Sequence, residues 1–183
     1  MAWKSSAQRY GGVAIAIHWV SAVAILVQLG LGFAAARAAD PAVQANLLRG
    51  HVTLGVFVVA LTLIRIGWWF IDRPPAPLST LAWWQALSER AVRVLLYLLI
   101  LILGASGIAL LALSGAANVL FFGAAGPLPD VARFPPMAAH IAAATALLML
   151  AALHILAALY HHFWRRDHLL ARMWTGSKLL KAP

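Results

Sequence analysis

Four apolar stretches, at about 13–36, 51–71, 91–113 and 137–164, constrain this chain more than any other feature of its sequence. At ~1.5 Å of rise per residue, each is long enough to cross a hydrocarbon core of ~30 Å as a helix. With 63% of its 183 residues hydrophobic and only 10% charged, the chain carries more apolar surface than a soluble domain can bury. The expectation is therefore all-α: a four-helix transmembrane bundle with short interfacial helices, formed by residues 1–183 as one integral membrane domain.

Turn chemistry separates the stretches: Ala39-Asp40-Pro41, then Arg73-Pro74-Pro75-Ala76-Pro77, then Gly126-Pro127-Leu128-Pro129-Asp130. Residues 79–89 read as a separate surface helix that places Trp83 and Trp84 at headgroup depth, and the tail from 167 to 181 as a second interfacial segment. The first stretch follows Lys4 and Arg9 and ends on small residues, as signal peptides do. Its two dozen apolar residues exceed the ~7–15 of a signal core, so it is expected to stay as a span.

The formal net charge of +9 raises the question of nucleic acid. The basic residues, however, lie between and beyond the apolar runs, where membrane proteins carry topogenic charge, so no nucleic-acid partner is expected. Of 14 Lys and Arg, all but Arg37, Arg49 and Arg133 fall on the side of the two termini. By the positive-inside rule both termini are cytoplasmic. The absence of cysteine excludes disulfides, thiolate metal sites and Fe–S clusters.

Within the apolar runs lie His18, His51, His140 and His154. An unpaired polar group in lipid costs several kcal/mol, so buried imidazoles need partners. His140 and His154 are 14 residues apart, which on a helix brings them to within ~40° of one face and ~21 Å apart along the axis. Alternating helix direction then sets His18 level with His154 on the inner side and His51 level with His140 on the outer side. Two facing imidazoles per level, with no carboxylate or thiol near, suit the axial positions of a haem iron. Zinc and copper usually take three or four protein ligands. A single such histidine would more often be a hydrogen-bonded core residue.

Arg65 lies 14 residues after His51, on the same face but at the inner depth. No Asp or Glu falls within the four spans, so a haem propionate is a candidate counter-charge; snorkelling to the surface is the alternative. His161, two turns past His154, could donate to a quinone carbonyl or relay its protons, or could be an ordinary interfacial histidine. His168 reads as a surface residue. Gly50, Gly55, Gly104 and Gly107 could admit a flat macrocycle, although glycines in such helices more often serve packing. Arg37, Arg49 and Arg133 could attract a small anion at the outer face.

These residues resemble the short, four-helix, di-haem type of the bacterial cytochrome b561 family. The likeness rests on Ile17-His18-Trp19, on His51-Val52-Thr53-Leu54-Gly55 leading to Arg65, and on His140. Most specifically it rests on Leu153-His154-Ile155-Leu156-Ala157-Ala158-Leu159-Tyr160-His161-His162, with the tail Asp167-His168-Leu169-Leu170-Ala171-Arg172-Met173 also similar. The third stretch carries no motif.

The resemblance implies two haem b groups (iron ligated by His18, His51, His140 and His154), location in the bacterial inner membrane, and electron exchange with membrane ubiquinone. For family members of this size it further implies superoxide as the outer-face donor, with His161 at the quinone site of a superoxide:ubiquinone oxidoreductase. Related subunits instead anchor a hydrogenase or another dehydrogenase to the quinone pool. The apolar connection 114–136 is a candidate docking surface for such a partner.

Overall fold

Asp40 and Pro41 start the second helix ten residues before the histidine expected to open it. The Asp40 carboxylate accepts from the backbone N–H groups of Ala42 (2.7 Å) and Val43 (3.1 Å), and Pro41 occupies the first helical turn. That is how a capped helix begins, because the first four N–H groups of a helix have no partner within it. In this computed structural model, which describes residues 2–76, 82–167 and 169–174, the chain forms α1 (Gly12–Arg37), α2 (Pro41–Ile71), α3 (Trp83–Ser114), α4 (Ala116–Phe121) and α5 (Pro136–Tyr160). A 3-10 turn (Val131–Arg133) precedes α5. A π-helical turn (His161–Arg165) and a second 3-10 turn (Leu170–Met173) follow it.

Two expectations about the elements are corrected. Residues 51–71 are only the apolar part of α2, whose first ten residues include Gln44, Asn46 and Arg49 and so escape a hydropathy reading. The separate surface helix expected at 79–89 is, from Trp83 onward, the first turns of α3; residues 79–81 of that expectation lie outside the described residues. No breaker stands between Trp83 and Val94. The Gln85 side chain caps Ala82 N–H (2.9 Å), and Glu89 pairs with Arg93 one turn on (3.0 Å), which sustains the helix through its polar part. The fourth stretch opens into the π-helical turn after Tyr160, and Arg166 in the left-handed region (φ 52°) ends it. His168 and the tail beyond Trp174 lie outside the described residues.

α1, α2, α3 and the segment beginning with α5 (Pro136–Arg165) are each long and apolar enough to span a membrane. Four spans return the chain to the side where it began, so the termini share one end of the bundle. α1 packs along α2 and α3 along α5, with a thinner contact between α2 and α3. α1 and α5 share no extensive contact, which leaves a seam between the two pairs. At mid-depth each span contributes one residue to a buried plug: Ala24, Val58, Ile100 and Leu147. Leu147 is seven residues from both His140 and His154, so the plug separates the two histidine levels.

The end carrying the termini is tied together by buried polar groups. Asp72 accepts from Ser5 N–H (2.9 Å), Ser5 Oγ (2.7 Å) and Trp68 Nε1 (3.2 Å). Arg172 donates to the carbonyls of Gln8 (2.9 Å) and Ala76 (2.8 Å). Trp19 Nε1 donates to the Met173 carbonyl (2.8 Å), so the tail is anchored on α1 beside His18. At the opposite end Arg49 donates from Nε to the Leu120 carbonyl (2.6 Å), fastening α4 onto the early turns of α2.

Candidate haem-binding site

The outer level pairs as the spacing predicts. The rings of His51 on α2 and His140 on α5 meet edge to face, with centroids 6.2 Å apart and planes at 65°. Two metal–imidazole bonds of about 2 Å each, together with the ring radii, span nearly that distance. The protonation of both rings is set by their neighbours. His51 Nδ1 lies 3.1 Å from the Gln28 carbonyl, which can only accept, so Nδ1 carries the proton and Nε2 keeps its lone pair. His140 Nδ1 lies 2.9 Å from Ser106 Oγ on α3. The Ser106 hydroxyl has one proton, and the Ile102 carbonyl at 2.7 Å takes it. Ser106 Oγ is therefore the acceptor for His140 Nδ1–H, and Nε2 of His140 is free as well.

Two glycines leave room beside these rings. A Cβ on Gly32 of α1 would come within 2.9 Å of His51 Cε1, and one on Gly107 of α3 within 3.6 Å of His140 Cε1. Of the glycines singled out in the sequence, Gly107 alone borders a histidine. Gly55 accommodates Gln28 (2.8 Å), Gly104 accommodates Val59 (2.6 Å), and Gly50 faces Leu31 (3.6 Å), so these three serve helix packing. Gly32 and Ser106 were missed: neither falls in a motif, and Ser106 lies on the one helix without any.

The inner level is built differently. His18 on α1 and His154 on α5 lie within electrostatic range of one another, and both lie within range of Arg65. His154 is exposed on its helix, yet its charged neighbours, Arg65, Glu89 and Arg93, belong to α2 and α3, so it is exposed toward the seam. Among the described residues neither imidazole has a hydrogen-bond partner. Arg65 does not reach the surface through an ion pair. Its guanidinium lies 5.6 Å from the Tyr97 ring centroid, and among the described residues it meets no carboxylate. The Tyr97 hydroxyl is buried without a hydrogen-bond partner, as is Ser21 Oγ one turn beyond His18.

An orphaned hydroxyl beside an unneutralised guanidinium fits a carboxylate-bearing group such as a haem propionate. The donor set fits as well, with two imidazoles at each of two depths. Among the described residues no cluster of three metal-ligating side chains occurs, whereas zinc and copper sites usually take three or four protein ligands. The apolar groove lined by Trp19, Val20, Val23, Ala24, Val27 and Leu54 is not part of the site: Val20, Val23 and Val27 point away from the His18 face of α1.

His161 leaves the end of α5 at the π-helical turn, and its Nδ1 contacts Asp167 Oδ2 at 2.5 Å; both side chains are largely buried. A carboxylate can only accept, so Nδ1–H donates and Nε2 remains to exchange a proton. The three outer arginines are all engaged. Arg133 pairs with Asp130 (3.0 Å), Arg49 donates to Leu120 and to Asn46 Oδ1 (2.8 Å), and Arg37 donates to the Phe33 carbonyl (3.2 Å). Arg37 and Arg49 meet only neutral acceptors in these bonds and keep their charge.

A family model described as prokaryotic cytochrome b561 matches residues 9–176. Among characterised proteins the chain is similar to "Cytochrome b561 homolog 2" of Escherichia coli K12, with 29% identity over 179 residues, covering 94% of this chain and 95% of that protein. It is also similar to "Cytochrome b562" of Cereibacter sphaeroides, with 33% identity over 170 residues, covering 90% of this chain and 94% of that protein.

Proposed function

The chain belongs to the prokaryotic cytochrome b561 family of membrane-spanning b-type haem electron carriers, and from that premise we propose that it is a di-haem quinone-linked oxidoreductase of the bacterial inner membrane. It carries electrons from a donor at the outer face, superoxide being favoured, to ubiquinone near the inner face. The observation that carries this reading is the opposed pair His51 and His140, 6.2 Å between ring centres, with both Nδ1 atoms committed to acceptors. Two depths of imidazole on one helix, α5, support two haems.

In this reading His51 and His140 ligate the outer haem through Nε2, and His18 and His154 the inner one. Bound haem supplies one-electron chemistry at its iron. Arg65 and the Tyr97 hydroxyl would hold an inner propionate. The plug of Ala24, Val58, Ile100 and Leu147 keeps water from the space between the levels. His161, steadied by Asp167, takes a proton at Nε2 and passes it to a quinone oxygen as the quinone is reduced. The balance is two superoxide anions, one quinone and two protons giving two dioxygen molecules and one quinol. The surplus of Lys and Arg at the termini end supports a cytoplasmic placement of both termini.

Stopped-flow mixing of superoxide with the oxidised holoprotein, with and without ubiquinone, tests the donor. Rapid appearance of the reduced haem bands and net quinol formation are expected. Absence of haem reduction removes superoxide from the account. His161→Gln slows quinol formation by roughly 10² while the first reduction keeps its rate, because general acid–base groups contribute about that much. An equal loss in both steps contradicts the role given to His161. The alternative, a haem-bearing anchor for a hydrogenase or other dehydrogenase, is favoured by one observation: Phe121 and Phe122 at the end of α4 are exposed next to the Arg49 clamp. Such an anchor co-purifies with its enzyme and is not reduced by small donors.

A further inference from the structure

The two histidine levels differ in a way that electron transfer would feel. Outside, each imidazole donates its Nδ1–H to a fixed acceptor: His51 to the Gln28 carbonyl and His140 to the Ser106 hydroxyl, itself locked to the helix backbone through Ile102. The two imidazoles are each other's neighbours there, and no charged side chain is bonded to either ring. Inside, His18 and His154 have no such acceptor among the described residues, and the nearby charge they share is Arg65.

We propose that this asymmetry makes the outer haem the weaker oxidant of the two, so that one electron runs downhill from the His51/His140 level to the His18/His154 level, with Ser106 and Arg65 as the residues that set the slope. The proposal rests on the di-haem reading above. Its sign follows from two effects. An imidazole whose N–H is hydrogen-bonded is a more basic ligand and favours the oxidised, more positive iron, which lowers the outer potential. A guanidinium in a low-dielectric surround disfavours that same positive state, which raises the inner potential. In the step itself the outer iron is oxidised by one electron and the inner iron is reduced by one. The donor replaces the first electron, and ubiquinone collects two from the second level with two protons.

Arg65 also has Tyr97 against it, and Arg93, from α3, stacks at 5.9 Å on Trp69. Arg93 is paired with Glu89 (3.0 Å), so Arg65 is the cation without a carboxylate partner at the inner level among the described residues. A propionate paired with Arg65 would offset part of the effect, while the hydrogen-bond difference between the two levels acts in the same direction as the guanidinium.

Ser106 is a positioning residue, and the measurement is a potential. Redox titration of the purified holoprotein, followed by visible and EPR spectra, should show two components. The component lost in His140→Ala, and relaxed by an impermeant paramagnetic ion added outside oriented vesicles, should have the lower midpoint. Ser106→Ala raises that component several-fold in its reduction equilibrium and leaves the other in place, while Ser106→Thr restores it. Arg65→Gln lowers the second component by roughly tenfold, about 59 mV for one electron, and Arg65→Lys by less. The wild-type titration alone fixes the order, whatever the variants do. A higher midpoint for the outer component, or unmoved midpoints in Ser106→Ala, overturns the proposal. A wild type with fewer than two components instead overturns the di-haem reading itself.

Discussion

At the scale of single residues, the geometry depends on which ring nitrogen carries the proton. His51 faces a carbonyl and His140 a hydroxyl whose proton is already placed, so both keep an unprotonated Nε2. The four histidines and Arg65 were legible in the sequence because ionisable residues are rare in spans and their 14-residue intervals can be counted. Ser106 and Gly32 were not legible, because serine and glycine are common in membrane helices for reasons of packing. Gly32 makes a sharp test. Its Cβ would meet His51 Cε1 at 2.9 Å, and overpacking of this kind typically costs about 1–3 kcal/mol. Gly32→Ala should displace the His51 ring and reduce haem occupancy at the outer level while the inner level stays filled. Measured haem per chain equal to wild type shows that the ring has room to move.

At the scale of elements, the spans were read correctly in number and the boundaries less well. Hydropathy located 13–36 within one residue at each end, since both ends of α1 are runs of apolar and small residues. It cut α2 short because Gln44, Asn46 and Arg49 look like a loop, although Asp40-Pro41 is a helix start in capping terms. It divided α3 because a polar segment was taken for a break where Glu89 and Arg93 in fact continue the helix. The cap gives the element-scale prediction. Asp40→Ala removes two hydrogen bonds at the start of α2 and should lower stability by about 1 kcal/mol, seen as a reduced Tm in detergent with the haem spectrum unchanged. No change in Tm denies the cap its role.

At the scale of the molecule, four spans place both termini at one end, and the basic residues gather there. With that end inside, an electron moving inward travels against a membrane potential that is negative inside, at ~2.3 kcal/mol per 100 mV for a full crossing. A potential difference between the two levels would offset that cost. The outer arginines add little focus to steer an anion, because Arg133 is paired with Asp130 and Asp40 lies in the same connection as Arg37. On the proposed superoxide reading, the encounter rate should therefore show a weak salt dependence, in contrast to strongly steered enzymes. Binding of two haems requires the imidazoles to serve in two pairs, His51 with His140 (6.2 Å between ring centres) and His18 with His154. The most direct measurement is haem content per chain, from reduced-minus-oxidised spectra of wild type, His140→Ala and His18→Ala. Two haems in wild type and one in each variant is the predicted result; a wild type with one haem or none, or a count untouched by either substitution, contradicts it.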